Sequence, residues 1–172
     1  MGKMPNIDSE AGTPDGISRE DWAHIHQCAV DIANAALADD AAASQASTSE
    51  LLQVLERLEH RYGALPSILA TRADYIEDVP SRLTLYEAAY DAASEHGDAR
   101  NLVWIASSLA ELYVDELREP LRGGEWLERL ETHLAKHDDP DERDVLERLR
   151  AVVQKLVHRP ECMPLPGKNK RP

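Results

Sequence analysis

Two histidines four residues apart, His133 and His137, are the first candidates for chemistry in this chain. On a helix that spacing puts both imidazoles on one face, as in many zinc sites, and Asp138 follows directly. The residues between them are Leu134, Ala135 and Lys136, so the Glu that acts as general base in helical zinc hydrolases is missing. With no third ligand in place, packing at the edge of the Trp126–Leu130 stripe accounts for both. His24 and His26 stand two apart, about 200° around a helix. That sends His26 to the apolar face and His24 to water. Neither pair predicts a metal site, and no cofactor is expected.

Carboxylates are plentiful, with 32 Asp and Glu, but none accompanies a positioned His, a nucleophile motif or a Gly-rich phosphate loop. Gly123-Gly124 reads as a joint between helices. Cys28 falls inside a helical pattern as a small packing residue. Cys162 stands in a Pro-rich tail with no base beside it. Together they form neither a disulfide framework nor a zinc pattern. No catalytic residue is assigned, and the chain is not expected to be an enzyme.

Trp104 says more about binding. On a helical wheel it lies amid Arg100, Ser107, Ser108, Glu111 and Asp115, the polar side of a helix whose other side is apolar. An indole in the middle of a polar face suits an anchor for a partner, because Trp is enriched at binding hot spots. The alternative is that a neighbouring helix or the N-terminal leader covers it. Glu111 and Asp115 would make the surface acidic and favour a Lys- or Arg-bearing ligand; otherwise they are a solvated face. With Arg72, these residues make up the candidate partner-binding set.

The elements that must position them are helices. Segments rich in Ala, Leu, Glu and Arg alternate with short Pro- or Gly-bearing joints, and runs of β-branched residues are absent. Residues 1–17 read as a flexible leader. Ser18, with Asp21 three residues on, opens a helix over 18–38 whose face is Trp22, Ile25, Ala29, Ile32, Ala33, Ala36 and Leu37. Residues 39–47 break the pattern and read as a linker. A stack of helices follows over 48–158. The second helix of the chain is stopped by Gly63, the third opens at Pro66 and runs to about Asp78, and the fourth runs from Pro80 to His96. The fifth spans about Arg100 to Arg118, the sixth Glu125 to His137, and the seventh Asp141 to Val157. The fifth is apolar over more than half its circumference, so it must touch neighbours on several sides. The seventh has one compact apolar face, Val145, Leu146, Leu149, Val152, Val153 and Leu156, as a terminal cap does. Residues 159–172 read as a mobile basic tail.

At 172 residues with 42% hydrophobic content, the chain suits a single all-α domain of about seven helices. The net charge of −13 sets it against nucleic acid and anionic membranes, whose phosphates it would repel. It suits solubility and a basic protein partner. No apolar stretch matches a signal peptide or membrane span, so a cytoplasmic location is expected.

Residues 83–117 resemble tetratricopeptide repeats of the longer-helix kind. Tyr86, Ala89, Tyr90 and Ala93 stand where a second repeat helix alternates aromatic and small residues. His96-Gly97-Asp98 stands at the joint between repeats, and Ala110 and Tyr113 at the small and aromatic positions of the next first helix. Ala73-Asp74 and Ala110-Glu111 are 37 residues apart, and His96 and His137 are 41 apart, longer than the ~34-residue period. Arg72 replaces an expected apolar residue, and Pro120 with Gly123-Gly124 makes an unusual second joint. The resemblance is clearest over 66–140. It implies stacked antiparallel helix pairs with a right-handed superhelical twist and a concave face, lined mainly by first helices, that holds a peptide or helix of a partner. The family's carboxylate-gripping Lys, Asn and Arg residues are not matched on the fifth helix, so that specificity is not carried over. An adaptor or regulatory module is the leading reading. A homo-oligomerising structural protein, such as a homodimer closing on the indole face, is the alternative. An enzyme of a helical class, resting on His133, His137 and the carboxylates, comes third.

Overall fold

A computed structural model describes residues 12–157. Among them are seven α-helices and no β-strand: α1 (Arg19–Leu37), α2 (Ala41–Tyr62), α3 (Pro66–Asp74), α4 (Val79–His96), α5 (Ala99–Glu111), α6 (Pro120–Leu134) and α7 (Pro140–Val157). Expectations for residues 1–11 and for the 159–172 tail, with Cys162, lie outside the described residues.

Most helices begin at side chains suited to the task. Ser18, Asp40, Asp78 and Asp98 each accept a hydrogen bond from a backbone N–H of the first turn they precede. Asp139 does the same for α7, accepting from Asp141 N at 3.1 Å. α3 starts at Pro66 behind Leu65, which has no capping side chain. Its cap comes instead from Asp15, whose Oδ2 accepts from Ser67 N at 2.7 Å. Residues 12–17 are therefore no loose leader. Thr13 Oγ1 accepts from Ile17 N at 3.0 Å, and Ile17 is fully buried.

The expected linker is shorter than its composition suggested. Residues 41–47 are helical, because a run of Ala needs no apolar stripe to favour helix. The chain turns instead at Asp39, which takes a left-handed φ of 55°. The apolar face of α1 is also rotated: Ile25, Cys28 and Ala35 are buried, while Ala33, Ala36 and Leu37 are exposed and His26 faces water.

Gly123-Gly124 is no joint either. Pro120 occupies the first turn of α6, and both glycines lie inside the helix. A Cβ on Gly123 would collide with Cγ2 of Val114, so the glycine is what lets α6 press onto the end of α5. There α5 opens into a wide π-helical turn, Leu112–Glu116, rather than continuing as α-helix to Arg118.

The helices pack as antiparallel neighbours, α1 with α2, α3 with α4, α5 with α6, and α7 across α5 and α6. This packing is compatible with stacked helix pairs. The backbones of α3 and α5, and of α5 and α7, also approach each other, whereas α4 and α6 meet chiefly through Tyr90, set edge-on to Trp126 at 4.9 Å. Two cores result. The smaller joins α1 and α2 through Ile25, Cys28, Leu51, Val54, Leu55 and Leu58. The larger runs through α3 to α7 and centres on Ile105, Leu109, Val114, Leu130 and Leu149. α3 belongs to both, giving Ile68 to the first and Leu69, Ala70 and Ala73 to the second. Burial on both sides explains why its sequence shows no clean stripe. α5 is buried on several sides, and α7 uses the face that its sequence marks out. No helix among the described residues is long and apolar enough to cross a membrane.

Candidate functional site: a trough across the odd-numbered helices

Trp104 keeps 39% of its surface exposed on a helix where Val103, Ile105 and Ala106 beside it are buried. Two hollows adjoin it. The first, about 390 Å³, is lined by Thr13, Pro14, Trp22, Ser67, Arg100, Asn101, Asp139, Asp141 and Glu142. The second, about 430 Å³, is lined by Asp74, Arg82, Tyr86, Ser108, Glu111, Asp115 and Glu116. The first takes its walls from the starts of α1, α3, α5 and α7, which share one side of the stack. The second includes the π-helical turn, an irregularity of a kind often found at functional positions.

Hydrogen bonds hold the first hollow in shape. The Asn101 side chain donates to Ser67 Oγ at 3.2 Å and to Asp98 Oδ2 at 2.7 Å. Ser67 N in turn donates to Asp15. Ser67 and Asn101 are both buried, so the leader, α3 and α5 are tied together beneath the indole.

The electrostatics are uneven. Oε2 of Glu142 is buried and has no hydrogen-bond partner among the described residues. Burial pushes its carboxyl above the ordinary range, the hydroxyl of Ser107 opposes this, and Asp139, Glu111 and Asp141 reinforce it. In the second hollow, Tyr86 donates to Asp74, and burial raises the Asp74 carboxyl to about 6 against the opposing pull of Tyr86 and Arg82. Arg82 is itself forked onto Glu116, at 3.1 and 2.5 Å.

The candidate residues are only partly brought together. Arg100, Trp104, Ser108, Glu111 and Asp115 border the two hollows. Ser107 is buried at 2% exposure and faces Glu142 rather than solvent, because α7 covers that side of α5. Arg72 turns toward α2, where it meets Glu59 at 2.6 Å, and lines a separate hollow with Leu52, Glu56 and His60. Glu111 and Asp115 both receive Arg148 of α7, the latter at 3.3 Å. Sequence reasoning missed Thr13, Pro14, Trp22, Asp139, Asp141 and Glu142. Their only signal was the break at Asp138-Asp139-Pro140, since nothing local shows that distant segments converge.

The remaining candidates resolve differently. His133 is half-buried, with Nε2 at 2.8 Å from Tyr90 Oη, and burial together with Lys136 and Arg129 lowers its pKa. It packs at the core edge. His24 approaches Glu50 at 3.5 Å. The ligand atoms of His24, Cys28 and Glu50 all lie within 4.8 Å of one another. No family model matches the chain, and no curated protein or solved structure is significantly similar to it.

Proposed function

We propose that this chain is a tetratricopeptide-like interaction module that holds a basic segment of a partner protein in the trough, with Trp104 as its anchor. The observation that carries the reading is the half-open indole of Trp104, set between two hollows beside the buried Val103, Ile105 and Ala106. A solvent-facing Trp with concave space on both sides suits an apolar side chain packed against it. Charge selects the rest of the ligand. Asp139, Asp141 and Glu142 crowd one wall, and a Lys or Arg amine entering there would complete the unpaired oxygen of Glu142. Glu111 and Asp115 contribute less, because Arg148 already neutralises them.

The test compares basic and acidic fluorescent peptide libraries of equal hydrophobicity by anisotropy, on wild type, Trp104→Ala and Glu142→Gln. Basic peptides are expected to bind wild type preferentially. Trp104→Ala should lose about tenfold or more in affinity while its melting temperature stays within about 5 °C. Equal binding of both libraries, or collapse of the Trp104→Ala fold, overturns the reading. A concentration-independent dimer in light scattering, with the Trp104 indole shielded, would favour self-association instead.

A further inference from the structure

On α1, His24 and Cys28 are four residues apart and so lie one above the other on the same face. Glu50 of α2 reaches the same point from across the helix pair. From these three side chains we infer a transition-metal site at the seam between α1 and α2, with zinc as the ion it suits best.

The geometry is already close to coordination. Zinc binds His nitrogen and carboxylate oxygen at about 2.0–2.2 Å and thiolate at about 2.3 Å. Tetrahedral angles then put neighbouring N and O donors about 3.4 Å apart, and S and N donors about 3.6 Å apart. Nε2 of His24 and Oε1 of Glu50 stand 3.5 Å apart, which is that edge of the tetrahedron. All three donor atoms lie within 4.8 Å, so closing on an ion requires movement of about 1 Å. The two exposed partners can supply it, for His24 and Glu50 side chains are 49% and 62% exposed. Cys28 is 3% exposed and forms the fixed floor.

The donor set decides the ion. A thiolate and an imidazole favour zinc, cobalt or nickel over magnesium and calcium, which prefer oxygen. Three protein ligands leave a fourth position to water, and the exposed side chains of His24 and Glu50 lie on the solvent side of the site. On binding, the Cys28 S–H bond breaks, its proton passes to solvent, and sulfur bonds the metal as thiolate. Without an ion, burial foremost and then Glu50 and Asp31 push the Cys28 thiol up. A divalent charge reverses that balance. The ion would staple the pair of helices that shares the smaller core.

Cobalt(II) titration of the full-length chain, followed by zinc competition and thermal unfolding, tests the site. Wild type is expected to take up one equivalent and develop the near-ultraviolet thiolate-to-cobalt band, which zinc then erases. Cys28→Ser should abolish the band, whereas Cys162→Ser and His26→Ala should retain it. His24→Ala and Glu50→Gln change exposed residues that the fold does not require, and each should weaken cobalt binding by about tenfold or more. Zinc should raise the melting temperature of wild type and not of these two variants. A band that survives in Cys28→Ser, or equal cobalt affinity in wild type, His24→Ala and Glu50→Gln, overturns the assignment.

Discussion

At Asp74 burial and hydrogen bonding pull in opposite directions, and burial is the stronger. The residue as a whole is exposed, but its carboxyl turns under Tyr86, where burial pushes it up to about 6. An acid whose folded pKa lies above its unfolded value of about 3.9 binds more protons folded than unfolded. Its contribution to stability therefore falls as pH rises from about 4 to about 6 and stays low above that. Asp74→Asn removes the charge and keeps an acceptor for Tyr86. The variant should be more stable than wild type at pH 7 by about 1 kcal/mol, the full linkage value being discounted for solvent contact. The difference should vanish near pH 4. Urea unfolding across this range checks it, and a difference independent of pH would mean that the folded carboxyl is ionised. How far single residues could be read in advance differs sharply. The polar surroundings of Trp104 follow from its own helix, but whether the leader or a neighbouring helix covers the indole is not readable there, since both are distant in the chain. The burial of Ser107 and the pairing of Arg148 with Glu111 and Asp115 depend on α7, more than thirty residues away, and no local pattern carries them.

Among the elements, α6 offers a direct contest between helix propensity and packing. Ala is favoured over Gly inside a helix by about 1 kcal/mol. At Gly124 a Cβ meets nothing within 4 Å, so Gly124→Ala should stabilise by up to about that amount. At Gly123 the new methyl strikes Val114, which is fully buried and cannot retreat. Overpacking costs about 1–3 kcal/mol, so Gly123→Ala should be destabilising on balance. Denaturant midpoints of the two single variants settle the signs, and equal shifts would show that α6 does not rest on Val114. Element boundaries were legible where a cap or stop residue stood alone, as at Ser18, Gly63, Pro66 and Gly97. The third helix, expected to reach about Asp78, ends at Asp74, and Asp78 caps α4 instead. Boundaries were misread where composition was ambiguous. Ala-rich residues 41–47 lacked an apolar stripe, and a Gly pair inside α6 resembled a turn although Gly123 serves close approach to Val114.

For the whole molecule, the uneven cores predict uneven stability. α1 and α2 share a small cluster and join the rest mainly through Ile68 and the leader, whereas α3 to α7 enclose a larger continuous interior. Local opening follows the weaker burial. Backbone amides of α1 and α2 should exchange with deuterium faster than those of α4, α5 and α6 at the same pH, as hydrogen-exchange mass spectrometry would show. Uniform protection would mean that α3 couples the cores into one cooperative unit. The all-helical class was legible from composition and the spacing of stops. The phase of α1 was not, because its many alanines fit either side of the wheel and only contact with α2 selects Cys28 and Ala35.

The bridge from Arg148 to Glu111 and Asp115 bears on how the acidity of this chain is to be understood. Those two carboxylates already have a resident guanidinium, so a visiting cation gains there only the difference between its own embrace and the one it displaces. Eviction would also free α7 from one of its moorings along α5. A guest that succeeded would thus be felt at the far end of the stack, as a slackening of the last helix, while a guest that failed would slide toward Glu142, whose Oε2 has no hydrogen-bond partner among the described residues.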